Sequence, residues 1–229
     1  MIEILFIDLD DTILDFHKAE HIALQKTLAS FGIEPSEQTC ARYSEINRAH
    51  WEMLERKELT REQVLVGRFA ALLQELGVEA DAALCAERYA ENLGIGHYFL
   101  PGAYEALEKL SKKYRLYLAS NGTKKVQAGR LKSANISHFF EDIFISQDLG
   151  ANKPDKAFFD ACFERIPDFS YAETMIVGDS LTSDILGGIN AGIATCWVNP
   201  HHKSAREDIR PDYEIESLSQ LPALLENLE

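Results

Sequence analysis

The chain has 229 residues, 46% of them hydrophobic, 10% aromatic and 26% charged, which is enough apolar material for one large domain or a core with a smaller insert. A formal net charge of −14 excludes a nucleic-acid polymer as partner, because so negative a surface repels a phosphate backbone. It also repels a small anionic substrate, so any phosphate site here must be a local positive spot built from a metal, a lysine or helix N-termini.

In chain order, residues 2–7 (IEILFI) form a continuous apolar run ending in acids, the pattern of a strand buried on both faces of a parallel sheet. Residues 15–98 break that rhythm and read as helices throughout. Apolar positions recur at helical spacing in Ile22, Leu24, Leu28 and Phe31, then in Val64, Leu65, Phe69, Leu72, Leu73 and Leu76, with Gly32, Pro35 and Gly77 as punctuation. The strand pattern then returns at 115–120 (RLYLAS), 143–146 (IFIS), 174–178 (TMIVG) and 194–198 (ATCWV). Between these lie helical patterns at 103–113, 155–165 and 182–191, the last running into Gly192. Alternating strands and helices predict an α/β fold with a doubly wound parallel sheet, carrying an all-α insert of about four helices after the first strand.

The N-terminus has no basic leader, so it does not read as a signal peptide. No apolar run approaches the ~20 residues that span a bilayer. Cys40, Cys85, Cys162 and Cys196 are scattered without metal-ligand spacing and read as reduced thiols of a cytoplasmic protein. No membrane partner is expected, and the oligomeric state is not legible.

In open α/β sheets, ligands bind beyond the carboxyl ends of the strands. Those ends carry Asp8, Asp10 and Thr12 after the first strand; Ser120, Asn121 and Gly122 after the second; and Asp179, then Asp184, after the strand at 174–178. Lys153 precedes a helix in a loop. A single aspartate at a strand end is commonly a helix N-cap, but several carboxylates beside a lysine repel one another unless a cation joins them. Oxygen-only ligands suit Mg²⁺, with Mn²⁺ as a substitute. An aspartate, ionised at neutral pH, can attack a phosphoryl group once a cation and Lys153 offset the repulsion. Asp8 is the candidate nucleophile and Asp10 the candidate proton donor and acceptor. Ser120 and the Asn121 and Gly122 amides would hold phosphoryl oxygens with Lys153.

These motifs, Asp8-Leu-Asp10-Asp-Thr12, Ser120-Asn-Gly, Lys153-Pro and Gly178-Asp179 with Asp184, resemble the haloacid dehalogenase superfamily in their order. The resemblance implies a Rossmann-like core (1–14 and 99–229) under an α-helical cap (15–98). It implies a metal held by Asp8, the Asp10 carbonyl oxygen and Asp179. Thr12 and Asp184 would stand behind the ligands, Asp184 alternatively holding one of the metal's waters. The segments YSEINRAHW (43–51), VGRF (66–69) and DILGGINAGIATCWVNPHH (184–202) further resemble bacterial pyrimidine 5′-nucleotidases that remove abnormal pyrimidine nucleotides. That resemblance implies a small-molecule phosphate ester as partner, a nucleoside monophosphate such as UMP, dUMP or dTMP. Asn47, Trp51 and Arg68 are the cap residues expected to contact it.

Other readings stay open. They are a sugar-phosphate phosphatase or mutase on the same scaffold, a metal-free dehalogenase with the same nucleophile, and a non-enzymatic phosphorelay receiver, which the insert at 15–98 disfavours. Trp51 and Trp197 also suit packing, the Gly187-Gly188 pair suits close helix packing, and His201 and His202 suit a surface loop.

Overall fold

β1 (Ile4–Ile7) is buried at every position, and its side chains alternate between two cores. Leu5 and Ile7 enter one apolar cluster, whereas Ile4 and Phe6 enter the other. The structure, a computed structural model, describes residues 1–228. Among them the chain continues with four helices, α1 (Phe16–Ser30), α2 (Glu37–Glu55), α3 (Arg61–Leu76) and α4 (Ala82–Leu93). Then follow α5 (Ala103–Leu110), β2 (Arg115–Ser120), α6 (Lys124–Ala134), β3 (Asp142–Ile145), α7 (Ser146–Leu149), α8 (Lys156–Phe163) and β4 (Thr174–Gly178). The chain closes with α9 (Leu186–Ala191), β5 (Ala194–Val198), β6 (Tyr213–Ile215) and α10 (Leu221–Glu226). No helix among the described residues is long and apolar enough to cross a membrane.

The strands form one parallel sheet in the order β3-β2-β1-β4-β5-β6. One face is covered by α5, α6 and α10 through residues such as Leu107, Leu131 and Leu221. The other is covered by α8, whose Phe158, Phe159 and Phe163 pack around Phe6, Tyr117 and Phe144. The chain runs from β1 outward to β3 and then returns to the opposite side of β1 at β4. That reversal opens a crevice at the carboxyl ends of β2, β1 and β4, where ligands of such sheets bind.

The four helices after β1 have their own apolar cluster, centred on Leu24, Leu28, Tyr43, Phe69, Leu72 and Tyr89. α1 packs on α4 and α2 on α3. Each helix start is capped by a side chain: Asp15, Ser36, Thr60 and Asp81 accept from backbone N–H groups one turn on, and Thr60 with Gln63 forms a reciprocal capping box. The outgoing and returning segments run side by side, with Asp15 N donating to the Tyr98 carbonyl at 2.8 Å and Leu100 N to that of Ile13 at 3.0 Å.

The expected strands at 115–120, 174–178 and 194–198 form as read. The helical pattern at 182–191 divides into a wide π-helical turn, Leu181–Ile185, and the short α9. β6 and α6 carried no usable signal, β6 because it is three residues long and α6 because part of its inward face is polar. Gly187 and Gly188 serve close packing: a Cβ on Gly188 would lie 2.5 Å from Ile176 Cγ2 and 2.6 Å from Thr195 Cγ2. Both neighbours are β-branched and fixed in strands. Gly188→Ala should therefore cost about 1–3 kcal/mol by overpacking, read as a lower denaturant midpoint at unchanged slope.

Candidate active site

β1 ends by delivering Asp8 to the crevice, its backbone N–H bonded to the Val177 carbonyl at 3.0 Å. Lys153 arrives from the loop before α8 and is 1% exposed. Its ammonium donates to Asp8 Oδ1 at 2.7 Å, Asp184 Oδ1 at 2.6 Å and the Ala119 carbonyl at 2.5 Å, which occupies all three of its protons. Burial works against the charge on Lys153, but Asp184 and Asp8 together outweigh it and hold the ammonium above its ordinary range. Burial, against the pull of Lys153, pushes Asp8 up to about 8, with Asp184 and Asp10 adding like-charge repulsion. Asp179 is likewise raised well above the carboxylate range, by burial first and then by Asp184 and Asp8.

Asp8, Asp179 and Asp184 each present an oxygen, all within 4.8 Å of one another. Asp184 reaches this position because the π-helical turn faces a glycine: a Cβ on Gly178 would lie 2.2 Å from Asp184 Oδ2. One ammonium does not neutralise three converging carboxylates. The set therefore fits a hard divalent cation with oxygen ligands.

Ser120 is buried at the end of β2, where its Oγ accepts from Gly122 N at 3.1 Å and from Gln127 Nε2 at 2.8 Å. Asn121 turns its side chain back into the protein. Its Oδ1 accepts from Lys153 N at 2.9 Å and its Nδ2 donates to the Lys153 carbonyl at 2.8 Å, tying the Lys153 loop to the end of β2. Thr12 is fully buried, and its hydroxyl has no partner among the described residues.

Asp10 accepts on both oxygens, from Arg130 on Oδ1 and from Gln127 Nε2 on Oδ2 at 2.7 Å. Neither α6 residue was expected from sequence. The signal available was their spacing, three apart on one helical face just after Ser120-Asn121-Gly122.

The helices at 15–98 roof the crevice. Trp51 and Arg68 line the same cavity of about 220 Å³ as Asp8, Asp10 and Asp179. Asn47 does not line it. Asn47 Oδ1 accepts from Arg68 at 2.7 Å and its Nδ2 donates to the buried Glu20 at 2.6 Å, so Asn47 stands behind Arg68. Two further residues close the roof on the sheet. Arg61 donates to the Asn121 and Gly122 carbonyls at 2.8 and 3.0 Å and to Asn152, and Glu55 accepts from Thr182 Oγ1 at 2.9 Å. Burial raises the Glu55 carboxyl above its ordinary value, the Thr182 hydrogen bond opposing it. Trp197 belongs to packing: it is buried against Ile185 and Ile209, and its indole N–H donates to the Asp179 carbonyl at 2.8 Å. His201 and His202 lie on the surface.

A parallel sheet with a buried carboxylate–lysine pair at its switch point, roofed by inserted helices, defines a hydrolase of the Rossmann-like α/β class. The chain belongs to the haloacid dehalogenase-like hydrolase family, whose model matches residues 2–192. It is 43% identical over 225 residues to the HAD-hydrolase YfnB of Bacillus subtilis, covering 98% of this chain and 95% of that protein. The magnesium-bound crystal structure of YfnB superposes with a TM-score of 0.94 at 42% identity, covering 98% of both chains. The chain is also 38% identical over 218 residues to the pyrimidine 5′-nucleotidase PynA of Streptococcus pneumoniae, covering 95% of this chain and 92% of that protein. To the pyrimidine 5′-nucleotidase YjjG of Escherichia coli it is 30% identical over 221 residues, covering 96% of each.

The crowding of acids predicts a conflict between site and stability. In metal-free protein, Asp179→Asn removes a buried carboxyl that its neighbours oppose. Its melting temperature in excess chelator should rise, by roughly 2–4 °C for each kcal/mol of repulsion relieved. An unchanged or lower melting temperature would mean that the cluster carries no net repulsion.

Proposed function

We propose that this protein is a Mg²⁺-dependent phosphomonoesterase of the cytoplasm that works through an aspartyl phosphate on Asp8, with pyrimidine nucleoside 5′-monophosphates as substrates. The observation that carries the chemistry is the Lys153 ammonium, which bridges Asp8 and Asp184 beside Asp179. In this reading residues 15–98 are a cap over a core of 1–14 and 99–229. Asp8, the Asp10 carbonyl oxygen and Asp179 would hold the cation, with Asp184 and Thr12 behind them. Bound there, the cation supplies charge neutralisation at the transferring phosphoryl group.

The rest of the chemistry falls to side chains. An Asp8 oxygen forms a bond to phosphorus as the bond to the nucleoside oxygen breaks, and Asp10 gives that oxygen a proton. Lys153 offsets the negative charge beside Asp8, while the Ser120 hydroxyl and the loop amides at Asn121 and Gly122 orient phosphoryl oxygens. Water then attacks the aspartyl phosphate, the Asp8 oxygen–phosphorus bond breaks, and Asp10 takes up the proton of the water. The roof excludes bulk water during both steps.

Two features support a pyrimidine. Trp51 and Arg68 offer a ring face and a hydrogen-bond donor to a base in the cavity. The names of PynA and YjjG point the same way, and the magnesium in the YfnB structure supports the choice of cation.

The deciding measurement compares kcat/KM for UMP, dUMP and dTMP with AMP, GMP and glucose 6-phosphate. Equal or better efficiency on the purines or on the sugar phosphate would overturn the nucleotide assignment. Asp8→Asn should abolish turnover while the protein stays folded, and full activity in excess chelator would overturn the metal dependence. Burial raises the Asp8 carboxyl to about 8, so cation binding there competes with protons. Calorimetric Mg²⁺ affinity should therefore fall as pH is lowered through that range, with proton release on binding.

A further inference from the structure

A carboxyl group that must first donate a proton and then accept one has to turn one oxygen to the reacting oxygen, with an O–H there in the first step and a free lone pair in the second. A carboxylate has about four lone-pair sites, two on each oxygen. In this protein two of them are taken, one on each oxygen of Asp10. The two donors are cross-linked, since Arg130 Nη1 also donates to Gln127 Oε1 at 3.4 Å. Each donor is anchored elsewhere as well. Gln127 Nε2 donates to Ser120 Oγ at 2.8 Å. Arg130 Nε donates at 3.1 Å to the carbonyl of Gly96, in the segment that returns from the roof to the sheet.

Local sequence makes room for this arrangement. A Cβ on Gly122 would lie 2.4 Å from Gln127 Nε2, and one on Gly129 would lie 2.5 Å from the Gly94 carbonyl. Glycine at both positions lets α6 approach the loop and the returning segment closely enough for its side chains to reach Asp10. Arg130 is fully buried, and its Nη2 has no partner among the described residues. Burying an arginine is costly unless a specific anion receives it, and Asp10 is that anion here.

We infer that Arg130 and Gln127 are positioning residues, which clamp the Asp10 carboxyl in one plane and leave its remaining lone pairs turned to the cavity for proton transfer. The inference rests on the phosphomonoesterase reading above, because it gives the clamp its purpose. The anchor on Gly96 ties the same carboxyl to the path by which the inserted helices rejoin the sheet.

A buried ion pair could serve folding alone, so the test needs a readout that stability does not move. Full-length Arg130→Met and Gln127→Met are assayed with Mg²⁺ on UMP, whose leaving oxygen needs a proton, and on p-nitrophenyl phosphate, whose leaving group does not. Each is also combined with Asp10→Asn. kcat/KM reports the chemistry through phosphoryl transfer to Asp8. Both variants should lose roughly 10- to 100-fold on UMP and less than about threefold on p-nitrophenyl phosphate, a partial loss beside the roughly 10²–10⁴-fold that general acid–base catalysis supplies. In the Asp10→Asn background either substitution should have almost no further effect, and Arg130→Lys should recover part of the UMP activity. Equal losses on both substrates, or losses that multiply with Asp10→Asn, would overturn the clamp. If Arg130→Met does not fold, Gln127→Met alone decides the matter. A wild-type protein inactive on both substrates would overturn the underlying reading, whereas an active one with unaffected variants would overturn the clamp only.

Discussion

The structure turns on one ammonium group. Lys153 is buried where the ends of β2, β1 and β4 meet, and it holds Asp8 and Asp184 at hydrogen-bond distance from a single nitrogen. It opposes the burial and the like-charge repulsion that push Asp8 and Asp179 toward the neutral form. Its placement depends on distant parts of the chain. Asn121 fixes the Lys153 backbone from the end of β2, and the absence of a side chain at Gly178 lets Asp184 reach it from the far side. The nucleophile candidate is therefore held by residues from three other segments of sequence, the end of β2, the Lys153 loop and the stretch from Gly178 to Asp184.

The same economy governs α6. A surface helix on a sheet normally presents an apolar stripe inward. Here the buried positions are Leu131 and Ala134 in the sheet's cluster, Val126 in that of the inserted helices, and the polar Gln127 and Arg130. Two of its five buried positions are thus spent on Asp10 rather than on the core, and the apolar packing on that face of the sheet falls more heavily on α5 and α10. That division of labour is why the helix is hard to see by periodicity.

The inserted helices combine an independent apolar centre with a polar underside. Glu20, Asn47 and Arg68 form a buried chain that sets the Arg68 guanidinium over the cavity, with Tyr89 beneath it at 4.9 Å from the ring centre. Arg61 and Glu55 reach across to the loops of the sheet. The roof is thus joined to its base by these hydrogen bonds and by Val126 of α6, which is buried in the apolar cluster of the inserted helices.

The parallel sheet and the helical insert are legible along the chain, because strands buried on both faces must be apolar throughout and helices must repeat their apolar positions every three to four residues. The chain also marks the residues at the strand ends, since aspartates, a lysine and an Asn-Gly pair cannot belong to a core, and the structure gathers them around one cavity. Which neighbours those residues have is fixed by the folded arrangement. That Asp10 is held by Arg130 and Gln127, that Asn121 braces Lys153, and that Asn47 stands behind Arg68 while Arg61 grips the loop are pairings between elements far apart in the chain. A polar side chain in a linear sequence reads alike whether it faces water or a buried partner. Which of the two it meets is set by how the helices pack, and no local pattern records that.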